Sequence, residues 1–392
     1  MSQQFDVAVV GLGAMGSAAL LDLARRGVRA VGFDRFHPPH TLGSTHGRSR
    51  IIRQAYYEDP AYVPLVQRAY ERWDLLMKET GVPVFQQTGG LMLGPRDGLL
   101  VSGSRRSAMT HGLPFEELDS ATIARRFPDL RPEPDTAAIL EPHAGILHPE
   151  EAVAAALARA KILGAETHLG TTVEGWSAGS ASVVLETTAG RFEAGAIILA
   201  AGSWLGDLIG GALPLSVERQ ITFWFDPPAG MSRVSPERLP VFIWEWAPDR
   251  LFYCLPDVGE GFKIARHHEG ATTSPEMVDR SVSPDEMADA RSLLERFIPD
   301  AAGPFRSAAV CLYTNTPDFN FVLGPLPSLS KGREDLRVAI PFGRDKDDVA
   351  RAVCWHVLEG DLLGGDSQVP SQPLLFPLGD VLRQLRRKNG CR

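Results

Sequence analysis

The stretch Asp6-Val-Ala-Val-Val-Gly11-Leu-Gly-Ala-Met-Gly16 decides the fold of the N-terminal part of the chain. Its apolar run ends at a glycine, as a buried parallel strand does, and residues 17–26 then predict a helix. Residues 28–33 predict a second strand, which ends at Asp34. A strand, a glycine-rich turn, a helix and a strand of these lengths form a βαβ unit that binds a dinucleotide.

Each glycine of this turn has its own physical role. Gly11 permits the tight turn, Gly13 leaves room for a pyrophosphate, and Gly16 lets helix and strand pack closely. The helix N-terminus supports the phosphate charge. Asp34 follows Gly16 by 18 residues and is placed to accept hydrogen bonds from a ribose.

Hydrophobic patterning predicts the remaining elements. Helices are expected at 62–79 and 151–163, and strands at 88–94, 165–176, 181–186, 195–202 and 336–342, the last followed by a helix to about residue 363. Residues 216–300 are richer in aromatic side chains and alternate as strands do. We therefore expect an α/β protein with a second, sheet-rich part.

Composition excludes several classes of protein. The chain has 392 residues, a net charge of −8 and a pI near 5.7, which give no reason to expect nucleic-acid binding. No apolar run suits a membrane span, and the N-terminus does not have the pattern of a signal peptide. The four cysteines lack zinc-ligand spacing, so we expect no metal site and a reducing, cytoplasmic location.

Three further segments give the chain a recognisable identity. The first puts three arginines within six residues, Gly43-Ser-Thr-His46-Gly-Arg48-Ser-Arg50-Ile-Ile-Arg53, and the second is Gly261-Phe-Lys263-Ile-Ala-Arg-His267-His-Glu-Gly270. The third is Cys311-Leu-Tyr313-Thr-Asn-Thr-Pro-Asp318. Together with the N-terminal glycines they resemble the monomeric sarcosine oxidase and N-methyl-L-amino acid oxidase family, with a further likeness to pipecolate oxidase.

The resemblance implies a glutathione-reductase-like FAD-binding domain of the Rossmann type and a second, sheet-rich substrate domain. The FAD-binding domain would comprise residues 1–85, 146–215 and 301–392. The substrate domain would comprise residues 86–145 and 216–300.

The resemblance also implies FAD as the cofactor, bound covalently through the sulfur of Cys311 at the flavin 8-methyl carbon. Arg50 would face the flavin ring. The full set of implied cofactor residues is Gly11, Gly13, Gly16, Asp34, Ser44, His46, Ser49, Arg50, Val173, Gly202 and Cys311.

For catalysis the resemblance implies Lys263, His267 and Arg50. Lys263 would promote the reaction with dioxygen, because a fixed cation stabilises developing superoxide charge in a dry site. His267 would lie beside the substrate amine, and Arg53 would bind the substrate carboxylate as a planar fork. Tyr253 would line the substrate pocket. Without the resemblance, Tyr253 would be interpreted as a strand aromatic of the core, Lys263 as an exposed lysine and His267 as a histidine with satisfied hydrogen bonds.

The resemblance breaks after residue 342. The family continues there with glycines and a lysine, whereas this chain reads Gly343-Arg-Asp-Lys346-Asp347-Asp-Val-Ala-Arg351. Asp347 falls where an ungapped alignment places the lysine that helps to bind the carboxylate, and Lys346 could substitute only if the loop shifts. A different substrate or a reading-frame slip would each explain the change, and both predict weak carboxylate recognition.

The implied activity is oxidation of a secondary-amine amino acid, sarcosine or another N-methyl amino acid, by a monomer that uses dioxygen and forms hydrogen peroxide. A cyclic imino acid such as pipecolate, or a glycated amino acid, is the nearest alternative. A flavin dehydrogenase with another acceptor, and a catalytically weakened flavin-binding protein, are alternatives of a different class.

Overall fold

The computed structural model describes residues 4–179, 182–227, 234–325 and 337–340. Within these residues the chain forms twenty strands and seven α-helices. The predictions for residues 343–355, including those for Lys346 and Asp347, and for the helix after the last strand lie outside the described residues.

Twenty strands follow one another along the described part of the chain. They are Gln4–Val10 (β1), Ala30–Asp34 (β2), Arg50–Ile52 (β3), Phe85–Gln87 (β4), Gly90–Pro95 (β5), Glu116–Asp119 (β6), Thr136–Glu141 (β7), Gly145–Leu147 (β8), Glu166–Leu169 (β9), Val173–Ala178 (β10), Val183–Thr187 (β11), Gly190–Leu199 (β12), Ser216–Phe225 (β13), Val241–Ala247 (β14), Arg250–Leu255 (β15), Phe262–His267 (β16), Thr272–Thr273 (β17), Phe305–Asn315 (β18), Val322–Pro325 (β19) and Arg337–Ile340 (β20).

The α-helices are Ala14–Arg25 (α1), Val63–Thr80 (α2), Leu99–His111 (α3), Ser120–Arg126 (α4), Pro149–Ile162 (α5), Leu205–Leu208 (α6) and Pro284–Phe297 (α7). Short 3₁₀ turns occur at Pro60–Tyr62, Gly202–Trp204 and Pro299–Ala301. In the described part of the chain, no helix is both long and apolar enough to cross a membrane.

A six-stranded sheet forms the N-terminal layer, in the order β10-β11-β12-β1-β2-β9. Strand β1 is parallel to both β12 and β2, and β2 is parallel to β9. Both faces are buried: Val9 packs with Leu20 of α1 and Ala156 of α5, whereas Ala8 packs with Ile197. A sheet covered on both faces explains why β1 is almost wholly apolar.

A nine-stranded sheet forms the second layer, in the order β17-β13-β16-β15-β14-β5-β7-β6, with β18 paired to β13. On one of its faces Trp244 packs with Phe297 of α7. On the other face Tyr253 packs with Met92 and Ile243. Because strand side chains alternate, residues 263, 265 and 267 of β16 share the face of Tyr253.

The expected α/β class is confirmed, with differences in detail. The predicted strand 165–176 is two strands, β9 and β10, because Gly170 turns the chain with a φ of 69°. The backbone N–H of Gly170 donates there to the Phe36 carbonyl. The region 216–300 contains α7 as well as strands. The domain boundaries remain a proposal.

Candidate active site

A cavity of about 430 Å³ opens at the carboxyl ends of β1 and β2. Parallel sheets bind ligands at this edge. Its lining includes seven of the sequence-predicted cofactor residues: Gly11, Gly13, Asp34, Ser44, Arg50, Val173 and Gly202. Gly16, His46, Ser49 and Cys311 do not line it, but Cys311 is followed directly by Leu312, Tyr313 and Thr314, which do.

The glycine turn has no space for side chains at two positions. Gly11 has a φ of 88°, and a Cβ there would lie 2.4 Å from the carbonyl oxygen of Ala200. A Cβ at Gly16 would lie 1.7 Å from the carbonyl oxygen of Gly11. Any other residue at position 16 would therefore push α1 away from the turn.

Asp34 is buried at the end of β2 and faces the cavity. One carboxylate oxygen accepts the backbone N–H of Leu12 at 2.8 Å, and the other accepts that of Phe36 at 2.8 Å. These bonds fix the carboxylate against the glycine turn. Each oxygen keeps acceptor capacity for a hydroxyl donor in the cavity.

A turn at Gly47–Ser49 brings two cations together. Arg50 donates from Nη1 to the Ser49 carbonyl at 3.0 Å and from Nη2 to the Ser44 carbonyl at 2.8 Å. Lys263 of β16 is 1% exposed, and its Nζ donates to the carbonyls of Gly47 and Ser49 at 2.9 and 2.7 Å. The two side chains reach the same turn from different sheets.

The turn itself is held by an acidic side chain. Glu150, in the first turn of α5, accepts the backbone N–H groups of Gly47 and Arg48 at 2.8 and 2.9 Å. A Cβ at Gly47 would lie 3.3 Å from Arg50 Nη1 and 3.5 Å from Lys263 Nζ. Glycine at position 47 therefore lets both cations approach the backbone.

His46 lies inside this cationic region and is 2% exposed. Burial, with the positive charges of Arg50, Lys263 and Arg280, lowers the pKa of His46 to about 3. The imidazole is therefore neutral at neutral pH. Its Nε2 is buried and has no hydrogen-bond partner among the described residues, so it can serve a polar ligand atom.

His267 and Tyr253 lie further along the same face of the nine-stranded sheet. Nδ1 of His267 lies 3.3 Å from the hydroxyl of Tyr313, and the rings of Tyr253 and His267 have centroids 6.3 Å apart. Both residues are buried. Tyr313, which lines the cavity, therefore connects it to the predicted substrate residues. The sequence reasoning missed this role of Tyr313, although it stands two residues after Cys311.

Arg53 is buried and already has an acidic partner. Its Nη2 lies 3.0 Å from a carboxylate oxygen of Glu58, and its guanidinium lies 4.1 Å from the ring centroid of Tyr56. The carboxylate of Glu141, 1% exposed, accepts the N–H groups of Gln54 and Ala55 at 2.6 and 2.8 Å. Sequence reasoning found Arg53 but not these acidic supports, because neither follows a motif.

Cys311 and Cys254 are the cysteines of the described residues; both are buried, and neither forms a disulfide within that part of the chain. Cys311 pairs with Gln220 across β18 and β13. Beside it, the Leu312 carbonyl accepts the hydroxyl of Ser44 at 2.5 Å. Among the described residues, no cluster of metal-ligating side chains occurs.

A family profile described as FAD dependent oxidoreductase matches residues 6–345. The chain belongs to this family, and the resemblance found in the sequence is confirmed. Among its relatives, a monomeric sarcosine oxidase of Streptomyces avermitilis is 41% identical over 332 residues, covering 84% of this chain and 86% of that one. An N-methyl-L-tryptophan oxidase of Yersinia pestis is 30% identical over 341 residues, covering 86% and 89%.

Solved structures share the fold at lower identity. NikD, an unusual amino acid oxidase of nikkomycin biosynthesis, has a TM-score of 0.80 at 23% identity and covers 96% of this chain and 98% of its own. L-Proline dehydrogenase from P. horikoshii has a TM-score of 0.80 at 22% identity, covering 100% and 99%. Glycine oxidase from Geobacillus kaustophilus has a TM-score of 0.78 at 21% identity, covering 95% and 98%.

Proposed function

We propose that the chain is an FAD-dependent oxidase of secondary-amine amino acids, sarcosine or another N-methyl amino acid, with dioxygen as the acceptor. The observation that carries the proposal is the placement of Lys263 and His267 on one face of β16, beside Arg50 and Tyr313 of the cavity. The names of the relatives, a sarcosine oxidase and an N-methyl-L-tryptophan oxidase, support the substrate class.

The residues around the cavity fit FAD. A Cβ at Gly13 would meet nothing closer than Thr45 Oγ1 at 3.6 Å, so there is open space beside the backbone of Gly13 for a pyrophosphate. Asp34 would accept the ribose hydroxyls. Val173 and Gly202, which also line the cavity, would contact the adenine and the diphosphate.

The second half of the cofactor site would use the 44–50 segment. Ser44, His46, Ser49 and Arg50 would lie along the flavin ring, and Arg50 would face it. The orphaned Nε2 of His46 supports this assignment, since a buried polar atom without a partner is costly unless a ligand satisfies it. When bound, FAD supplies the acceptor for a hydride equivalent.

Cys311 would anchor the flavin as a thioether. The position of Cys311 supports this attachment. Cys311 directly precedes three residues that line the cavity, and it lies between the hydrogen-bonded backbone carbonyls of Val310 and Leu312.

On the substrate side, Arg53 would bind the carboxylate in a bidentate manner, with Lys346 as the second cation. His267 would accept a hydrogen bond from the substrate amine, and Tyr253 would pack against the substrate. Held in this way, the carbon attached to nitrogen would face the flavin. The imine product then hydrolyses in water.

Lys263 would serve the oxygen half of the reaction. Its ammonium is buried, is held by two carbonyl oxygens, and lies 5.2 Å from the ring centroid of Trp224. A fixed positive charge in a dry site stabilises the superoxide charge that develops when dioxygen takes an electron. A dehydrogenase with a protein or quinone acceptor has no need of this feature, so Lys263 favours the oxidase.

The proposal includes a monomer in the cytoplasm. The relative's description as monomeric supports the first point. The second point is supported by Cys254 and Cys311, which form no disulfide within the described residues.

A matched substrate panel tests the proposal. Purified protein is given sarcosine and glycine, N-methyl-L-alanine and L-alanine, L-proline and L-pipecolate, and peroxide is measured with a coupled peroxidase. We expect peroxide with sarcosine and N-methyl-L-alanine and little with glycine and L-alanine, whereas peroxide from L-proline or L-pipecolate alone would favour the cyclic imino acid alternative. Faster turnover of the primary amines, or reduction of a dye without peroxide, would overturn the assignment.

A further inference from the structure

Arg280 joins two segments that border the cavity. Its guanidinium donates to the Val310 carbonyl on β18 at 3.1 Å, and to the carbonyls of Thr41 and Leu42 at 3.2 and 2.7 Å. All three acceptors are backbone oxygens. Within residues 4–179, 182–227, 234–325 and 337–340, no carboxylate forms an ion pair with Arg280. Its positive charge is therefore not neutralised by an acidic side chain of that part of the chain.

Cys311 lies between the two backbone carbonyls that fix this edge of β18. The Val310 carbonyl accepts from Arg280, and the Leu312 carbonyl accepts from Ser44 at 2.5 Å. Cys311 is 3% exposed, so solvent screens the charge poorly. Burial lowers the pKa of Arg280, and attraction to the Cys311 thiolate opposes that change.

The other described cysteine provides a contrast within the same chain. Cys254 lies on the face of the nine-stranded sheet that packs against α7, and it is fully buried. Burial alone raises the pKa of its thiol. Of the two, Cys311 is the one that has a cation beside it.

We propose that Arg280 activates Cys311 for covalent attachment of the flavin and clamps the 41–44 loop against β18 while the bond forms. A cation beside a thiol favours the thiolate, which is the nucleophile. This inference rests on the proposed function, because it assumes the Cys311 thioether. Arg280 is then a residue of cofactor loading and takes no part in amine oxidation.

The attachment step joins the Cys311 thiol to the flavin and is an oxidation. A bond forms between Cys311 Sγ and the flavin 8-methyl carbon, and the S–H bond and one methyl C–H bond break. The two electrons released reduce the flavin, and the two hydrogens leave as protons. Dioxygen, which the proposed oxidase already uses, takes two electrons and two protons to give hydrogen peroxide, and the flavin returns to its oxidised state.

The test uses the full chain, purified flavin-free from riboflavin-limited cells. FAD is added to wild type, Arg280→Gln, Arg280→Lys and Arg29→Gln, and covalent flavin is followed by fluorescence in denaturing gels. Arg29 is a suitable control because it is an exposed cation paired with Asp6. We expect Arg280→Gln to slow attachment about ten-fold, because losing an adjacent opposite charge lowers the thiolate fraction by about that factor or more. Raising the pH should restore the attachment rate of Arg280→Gln. Arg280→Lys should retain much of the wild-type rate, and Arg29→Gln should match wild type.

A second readout does not depend on enzyme activity. Thiolate absorbance near 240 nm is titrated in flavin-free chain, with Cys311→Ser subtracted to isolate the Cys311 signal. Arg280→Gln should raise the midpoint of the Cys311 titration above that of wild type, because the adjacent positive charge is lost. If Arg280→Gln does not fold, Arg280→Met, which also lacks the charge, replaces it. A titration midpoint equal to that of wild type then overturns the proposal.

Failure of the role of Arg280 and failure of the proposed function would give different results. If wild type becomes covalently flavinylated but Arg280→Gln changes neither the attachment rate nor the thiol titration, the role of Arg280 is wrong and the proposed function stands. If wild type binds FAD and never retains it after denaturation, the thioether is wrong and the role of Arg280 falls with it. Peroxide formation from N-methyl substrates is measured separately on both proteins.

Discussion

Lys263 and Arg50 donate to the same atom. The Lys263 Nζ lies 2.7 Å, and the Arg50 Nη1 3.0 Å, from the carbonyl oxygen of Ser49. One backbone oxygen thus holds two positive side chains, one from each large region of the chain, at the border of the cavity. Because neither cation must reorganise when negative charge develops beside it, the pair is suited to electrostatic catalysis.

Replacing Lys263 with Met should impair the oxygen half-reaction selectively. We expect reoxidation of reduced flavin to slow by about 100-fold, the order of losing one preorganised electrostatic group, with much less change in reduction by substrate. Stopped-flow measurement of the two half-reactions separates them. Lys263→Arg, which keeps the charge, is the matched control. Equal losses in both halves would refute the role assigned to Lys263.

Arg53 and Glu58 should have opposite effects on substrate affinity. Arg53→Gln removes a charge-assisted pair with the carboxylate, which costs about 1.5–3 kcal/mol, or about one to two decades in KM. Glu58→Gln removes the acid that competes for the same guanidinium, at 3.0 Å, and should lower KM. Steady-state kinetics with sarcosine checks both. A rise of KM in both variants would show that Glu58 only orients Arg53.

His46 should make stability depend on pH below neutrality. Its pKa is about 3 in the folded chain against an ordinary value of 6.5, so below 6.5 the unfolded chain binds a proton that the folded chain does not. Stability is then lost as the pH falls from 6.5 toward 3, with a slope of up to about 1.4 kcal/mol per pH unit. Urea unfolding of flavin-free protein at several pH values should show a smaller slope for His46→Asn, whereas the exposed-site variant His143→Gln should keep the wild-type slope.

Cys311→Ser should release the flavin on acid precipitation, leaving a colourless pellet and a yellow supernatant. Cys254→Ser is the matched control, because Cys254 is fully buried on the α7 side of the sheet. Its pellet should stay yellow. A wild-type pellet without flavin would contradict the covalent attachment.

The N-terminal βαβ unit could be predicted because the spacing of its glycines is compatible with few other structures. The backbone contacts at Gly11 and Gly16 allow no side chain, so the sequence pattern and the turn geometry determine each other. The boundaries were less predictable: α1 starts at Ala14, three residues before the expected position. The helix begins directly after Gly13 because the turn itself supplies the N-cap.

Other features depend on contacts between distant parts of the chain. Arg280 meets the Val310 carbonyl only because the loop after β17 folds back onto β18, and nothing local to Arg280 indicates that. Helix α7, by contrast, carried a readable signal that the strand-like reading of 216–300 overlooked. Ser283 and Glu286 form a capping box with a proline at the first helical turn.

The central claim is that this chain passes electrons from a secondary-amine amino acid to FAD and then to dioxygen. Anaerobic mixing of the flavin-loaded protein with sarcosine, followed by one addition of aerated buffer, tests it most directly. We predict loss of the oxidised-flavin absorbance before air enters, and return of that absorbance with one peroxide per flavin afterwards. Unchanged absorbance with sarcosine and with every other N-methyl amino acid of the panel would contradict it.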